Sequence, residues 1–349
     1  MHRQAPPDDR SDTPDHVAVI IPAYNAAATI DETLWSVRVQ TCRSLDIVVV
    51  DDGSNDATPA IVAAHAACDP RVRLLSQING GVAAARNLGI ERSTAPLIAF
   101  IDADDLWTRD KIEKQLQALR QAPANTGLVY CWSALIDEQG RITSLDHRPL
   151  YDGPVLERLC EVNLIANGSS PLIPRAIIQE VGGFDPGLRA KRAQGCEDLD
   201  LYLRIAEHYA FAVVPEHLTG YRQLGSAMSS DLMQMLRSWT LVSAAAGRRR
   251  PASRAALERG VTNCTAWLLV RAIQYRRIGD SFRLATRLLL RDPFRLGAIG
   301  WQAATAALRR LSGKPTRSRE RLGPLAERPF IPPCDRPPLP PFSASSARS

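Results

Sequence analysis

Three short apolar runs constrain this chain more than any other feature: VAVIIPAY from Val17, DIVVVDDGS from Asp46 and IAFIDADD from Ile98. Each is rich in aliphatic residues and stops at proline, acidic or glycine residues. Unbroken apolar runs of this length suit strands buried on both faces, as in parallel sheets. Helical patterns over 29–39, 58–67 and 81–91, with further strands at 72–75 and 97–101, continue the alternation. The order predicts an α/β fold built on a doubly wound, mostly parallel sheet flanked by helices. Ligand sites in such sheets lie beyond the carboxyl ends of the strands. Tyr24, Asn25, Asp51 and Asp52 therefore fall on one shared rim. Past Asp105 the sequence predicts a helix over 109–121, strands at 127–135 and 169–174, and a helix opening at Cys196.

With 349 residues, 45% of them hydrophobic, the chain can bury a full core and carry appendages. Its seven cysteines are scattered, without C-x-x-C pairing or His/Cys metal spacing. They read as reduced thiols of a cytoplasmic protein. Residues 1–16 are polar, lack the apolar centre of a signal peptide and are expected to be disordered. The weakly apolar stretch 296–308 is too short, and too broken by Gln302, to span a bilayer. Charge divides the chain: residues 1–230 are net −9, whereas 231–349 carry 22 Lys+Arg against 7 Asp+Glu. The expected organisation is an α/β domain over 17–230, a basic helical extension over 231–312 and a disordered Pro/Ser/Arg-rich tail over 313–349.

Asp102, Asp104 and Asp105 follow directly on an apolar strand. Three like charges at a buried strand end are costly unless a cation offsets them. Oxygen ligands favour Mn2+ or Mg2+, which take one or two carboxylates plus substrate phosphates. A solvated acidic turn explains an isolated D-x-D equally well.

The strings VAVIIPAYNAAATIDETLWSVRVQT, VVVDDGSNDAT, NGGVAAARNLGI and IAFIDADDLW, in this order, resemble the inverting glycosyltransferases of family 2 over residues 17 to about 222. That resemblance implies the GT-A type nucleotide-diphospho-sugar transferase fold with a C-terminal helical extension. It implies that Pro22, Ala23 and Tyr24 line the donor base, that Asp52 accepts the base N–H, and that Arg86 lies near the nucleotide or its phosphates. Asp102 would reach the ribose or the metal, Asp104 would bind the metal, and Asp105 would be a third contact. Read as structure alone, Tyr24 caps the sheet edge, Asp51 and Asp52 form a turn before Gly53, Arg86 pairs with a surface carboxylate, and Asn87 bridges loops.

Sugar transfer to a hydroxyl also needs a base. Glu197 and Asp198 open a helix, where the dipole keeps a carboxylate ionised. After GGFDPGL the pair resembles the family's acceptor-side motif, which implies Asp198 as base and Glu197 as its substitute. Adjacent helix residues point about 100° apart, so the two cannot serve one hydroxyl equally. The family string Tyr-Arg-x-His departs here: Arg222, Ser226 and Ser229 fit, with Arg222 either a diphosphate contact or a structural ion pair, but Leu224 stands where histidine is frequent.

The expected activity is inverting transfer from a UDP-linked sugar to a saccharide or lipid-linked acceptor, as in cell-surface polysaccharide synthesis. A catalytically silent nucleotide- or glycan-binding protein is the alternative. A dinucleotide oxidoreductase is disfavoured, because PAYNAA replaces G-x-G-x-x-G after the first strand. A nucleotidyltransferase would need basic phosphate-gripping residues in that loop, and there are none. Residues 253–311 interleave arginines with Leu, Ile, Phe and Trp. They either dock on the inner face of an anionic membrane or pack on the catalytic domain with the arginines solvated. No nucleic-acid module accompanies them, and no nucleic acid is expected.

Overall fold

The computed structural model describes residues 15–224, 231–301 and 328–331. Strands β1 (Val17–Ala23), β2 (Leu45–Asp51), β3 (Val72–Ser76) and β4 (Leu97–Phe100) pair in parallel in the spatial order β3-β2-β1-β4. Helices α1 (Ile30–Arg38), α2 (Thr58–Cys68) and α3 (Val82–Glu91) make the crossovers. On β1, Ala18 and Ile20 enter one core and Val17, Val19 and Ile21 another, so both faces are covered.

Beyond β4 the sheet becomes mixed. The remaining strands are β5 (Leu106–Trp107), β6 (Thr126–Ile136), β7 (Ile142–Ser144), β8 (Leu172–Pro174) and β9 (Ala210–Arg222). β8 runs antiparallel to β4 and β6, β6 and β9 pair in parallel, and β5 is antiparallel to β9. Helices α4 (Lys111–Gln121), α5 (Leu156–Glu161), α6 (Arg175–Glu180), α7 (Gly187–Ala190) and α8 (Glu197–Ala206) fill this half. α8 is clamped at its C-terminal end by Arg204, which pairs with Asp200 at 2.8 Å and donates to the Gly183 carbonyl at 2.6 Å.

Three helices follow: α9 (Leu232–Arg249), α10 (Arg254–Gln274) and α11 (Ile278–Arg291). The first two pack on the α/β core, since Val242, Ala246, Ala256 and Leu257 belong to it. A Cβ at Gly260 would lie 2.0 Å from the Cys160 carbonyl, so α10 and α5 meet backbone to backbone. The α10–α11 break falls at Arg276, in left-handed conformation with φ 56. No helix among the described residues is long and apolar enough to cross a membrane. The six described cysteines are free.

The disordered-tail expectation needs one correction. Residues 328–331 lie against the β7 hairpin, where Ile142 N–H donates to the Arg328 carbonyl and Phe330 N–H to that of Gly140, both at 2.9 Å. The Phe330 ring sits against Gly220, close enough that a Cβ there would be 2.7 Å away. An aromatic side chain with a backbone edge to pair on is held despite its polar flanks. The rest of the expected N- and C-terminal tails lies outside the described residues, apart from Asp15 and His16.

Candidate active site

Because β1, β2 and β4 are parallel neighbours, their carboxyl ends bring residues 22–27, 51–58 and 101–105 to one rim. Two of these loops are laced together. Asn25 N–H donates to Ser54 Oγ, and Asn55 N–H donates to Asn25 Oδ1, both at 2.9 Å. Asn25 adopts φ 49, which asparagine tolerates better than most residues. Pro22 and Ala23 are buried at the end of β1, while Tyr24 is 53% exposed. The tyrosine is therefore not absorbed into the sheet edge.

Asp52 is buried and accepts from Gln77 Nε2 at 2.7 Å and from the backbone N–H groups of Gly80 and Gly81 at 2.7 and 2.8 Å. A carboxylate has about four acceptor positions, so one remains for a ligand N–H. Gly81, with φ 88, is crowded by Arg189 and Gln194, whose atoms would stand 3.0 and 3.1 Å from a Cβ. The segment after α7 thus crosses the glycine loop that holds Asp52.

The three aspartates of the acidic motif have different surroundings. Asp105 is completely buried; its Oδ1 accepts from Arg222 N–H at 2.9 Å and its Oδ2 from Ser169 Oγ at 2.5 Å. Burial, then the charges of Asp104 and Asp102, push its pKa well above the usual carboxylate range. The residue expected as a third metal contact is thus enclosed, with both oxygens anchoring neighbouring loops. The Asp104 carboxylate accepts no hydrogen bond from another residue among the described ones, and burial followed by the Asp102 charge pushes it up to about 7. Such a carboxylate, with Asp102 beside it, suits a hard divalent cation that brings phosphate oxygens with it. Among the described residues no three acidic, His or Cys side chains converge as a complete metal cage.

Arg86 is 4% exposed and donates to Asp102 Oδ1 at 2.6 Å. It is neither a surface ion pair nor an open phosphate contact. Its guanidinium lies 5.1 Å from the Phe184 ring centroid, and Phe184 is fixed by Asn87, which bonds its N–H and carbonyl at 2.9 Å each. The opposite wall is Gly168, where a Cβ would be 2.4 Å from Arg86 Nη2. The neighbouring Ser169 accepts the Asp102 N–H at 2.9 Å, and its carbonyl accepts from the buried Trp107 indole at 2.8 Å. Trp107 and Phe184 stand inside the quoted motif strings without having been singled out, and Gly168 and Ser169 lie in none of them. Only the short N-G-S-S run hints at a tight loop.

Asp198 and Glu197, in the first turn of α8, are brought to this same cluster. Burial pushes Asp198 up to about 6, opposed first by the charge of Arg86, and Asp102 also acts on it. Glu197 is 4% exposed and accepts from Gly195 N–H at 2.8 Å. Asp198 is partly exposed and, among the described residues, accepts from Leu199 N–H at 2.7 Å. Of the two, Asp198 is the more open to a ligand. Tyr202, one turn on, ties α8 to the glycine loop through Asn167 O at 3.1 Å.

Of the two roles expected of Arg222, the structure shows the ion pair. Its side chain is fully buried, paired with Glu32 at 2.8 Å and donating to the carbonyls of Asp104 and Glu138 at 2.7 and 2.6 Å. A guanidinium so enclosed supports the acidic loop from behind and is not open to a diphosphate. Leu224 is described and partly buried; Ser226 and Ser229 lie outside the described residues.

The fold has known counterparts. It resembles GT-A type glycosyltransferases: the Staphylococcus aureus TarS fragment 1–349 in complex with UDP-GlcNAc shares 14% identity and a TM-score of 0.59 over 81% of this chain and 83% of that one. The mannosyltransferase PcManGT of Pyrobaculum calidifontis, in complex with GDP-Man and Mn2+, gives 22% and 0.52 over 86% and 88%. Residues 18–184 match the model of Glycosyl transferase family 2. EpsH of Bacillus subtilis, named as a glycosyltransferase, is 38% identical over 136 residues, 39% of each chain. The uncharacterized glycosyltransferase RC0461 of Rickettsia conorii is 29% identical over 211 residues, 60% of this chain and 33% of its own length. The match thus spans well under two thirds of these relatives.

Proposed function

We propose that the chain transfers a sugar from a nucleoside-diphosphate donor to a hydroxyl of a saccharide or lipid-linked acceptor, with inversion at the anomeric carbon. The observation that carries this reading is the position of Asp198 beside the Arg86–Asp102 pair. It brings an acceptor-side carboxylate to the donor-side acidic motif.

In this reading Tyr24 offers its ring to the base, above Pro22 and Ala23, and Asp52 uses its remaining acceptor position for a base N–H. Asp102 faces the ribose or the metal. Mn2+ or Mg2+ held by Asp104 and Asp102 would neutralise charge on the diphosphate as it leaves. Asp198 takes the proton of the acceptor hydroxyl while its oxygen attacks the anomeric carbon and the bond to the diphosphate breaks. Glu197 holds the start of α8 through Gly195. The donor nucleotide proposed is UDP, as in the TarS complex. GDP, held by PcManGT, is the competing outcome. The reaction is assigned to the cytoplasmic side, where such donors are made.

The test incubates the full chain with a panel of nucleotide sugars, with Mn2+, Mg2+ or chelator, and measures nucleoside diphosphate release. Metal-dependent release with one donor, lost in Asp198→Asn, supports the reading. Absence of both release and binding for every donor, with candidate acceptors present, overturns it.

A further inference from the structure

α11 buries only one of its two apolar sides. Leu284 and Leu288, both 0% exposed, join Leu268, Leu269 and Ala272 of α10. Ile278, Phe282 and Leu289 recur at spacings of four and seven, with Ala285 between them. At 3.6 residues per turn these positions share one face. They are 83, 75 and 53% exposed, so that face has no cover among the described residues. Leu290 at 82%, Phe294 at 90% and Trp301 at 74% extend the apolar exposure beyond the helix end. Isolated exposed apolar side chains are common, but a run of six on one short segment marks a contact surface.

Charge decides what the contact is. Residues 271–301 carry seven arginines against only Asp280 and Asp292. Arg276 and Arg287 have no carboxylate partner among the described residues, and Arg283 is 3.8 Å from Asp280 with its side chain 68% exposed. A two-fold contact between copies would set this cationic stretch against itself. A surface of anionic headgroups accepts the arginines while its acyl boundary accepts Phe282, Leu290 and Phe294. Trp301 is a residue type that settles at that boundary.

We infer that α11 and the segment to Trp301 form a docking surface for an anionic lipid membrane, on which the helix lies without crossing. This inference is independent of the transferase reading, because binding is measured without turnover.

The experiment is co-flotation of the full chain with vesicles of phosphatidylcholine alone or mixed with phosphatidylglycerol. Binding is expected only to the mixed vesicles, weakening as salt rises. The Phe282→Ser/Phe294→Ser variant should lose it. Arg283→Gln and Arg287→Gln should each weaken it about fivefold, the weight of one cation near such a surface. Both residues are exposed, so these variants fold, and unchanged circular dichroism checks that. No flotation with anionic vesicles overturns the inference, as does equal binding to neutral ones. Light scattering that shows a dimer dissociated by the same phenylalanine variant overturns it in favour of self-association.

Discussion

The Arg86 guanidinium stands between two carboxylates: it donates to Asp102 at 2.6 Å, and its charge is the strongest opposing influence on Asp198. In the proposed reaction it would couple the donor side of the cleft to the acceptor side. Burial alone pushes Asp198 upward, and Arg86 limits the rise to about 6. A base acts when deprotonated, so kcat/KM should climb with pH and level off above about 6. In Arg86→Gln the restraint is gone, and the acidic limb should move to higher pH. A pH–rate profile of both proteins checks this; an unmoved limb would separate Arg86 from the base.

Gly168 has no side chain because the guanidinium occupies that space. Gly168→Ala puts a methyl 2.4 Å from Arg86 Nη2 and must displace it. Turnover should fall about 10²-fold, the scale of an ångström-sized misplacement of catalytic groups, with a far-ultraviolet spectrum like that of the parent.

Asp198→Asn removes the proton acceptor and leaves the donor side intact. Turnover should drop about 10²- to 10⁴-fold. Donor affinity by calorimetry should stay unchanged, since nothing in the proposed donor site is lost.

Asp104 bears on stability through pH. Its folded pKa is raised to about 7, so the folded chain holds that proton more tightly than the unfolded chain does. The stabilising contribution is full below the ordinary carboxylate pKa and is lost as pH rises through about 7. In metal-free protein, Asp104→Asn should therefore raise the melting temperature at pH 8 and change it less at pH 5. Adding Mn2+ at pH 8 should stabilise the parent and not the variant. Equal melting curves at both pH values would contradict this.

Arg222→Leu strands the carbonyls of Asp104 and Glu138 in the interior. An unsatisfied buried polar group costs roughly 1–3 kcal/mol, so a loss of about 3 kcal/mol in urea unfolding is expected. A mere diphosphate contact would leave that transition where it was.

Much of the fold was legible because local pattern and global structure agree. The β-branched runs before Tyr24, Asp51 and Asp102 are strands, and their parallel pairing places the acids on one rim. The helix start at Glu197 was equally plain. Arg86 and Asp102 were expected at the site, but their pairing and the Gly168 and Phe184 walls around it were not legible, because these parts come from distant stretches with no shared period. Arg222 left two readings open for a related reason. An arginine ending a strand resembles a ligand contact until Glu32, 190 residues away, closes over it. Phe330 was hidden by its proline-rich surroundings, which obscure a single aromatic anchor.

Pairing of residues 328–331 with the β7 hairpin has a consequence for association. An open hairpin edge is a template on which another chain can add a strand. Here the chain closes that edge with its own late segment, and Phe330 fills the hollow over Gly220. Shortening the protein before Arg328 would therefore bare a sticky margin, and the shortened form should self-associate at concentrations where the full chain does not.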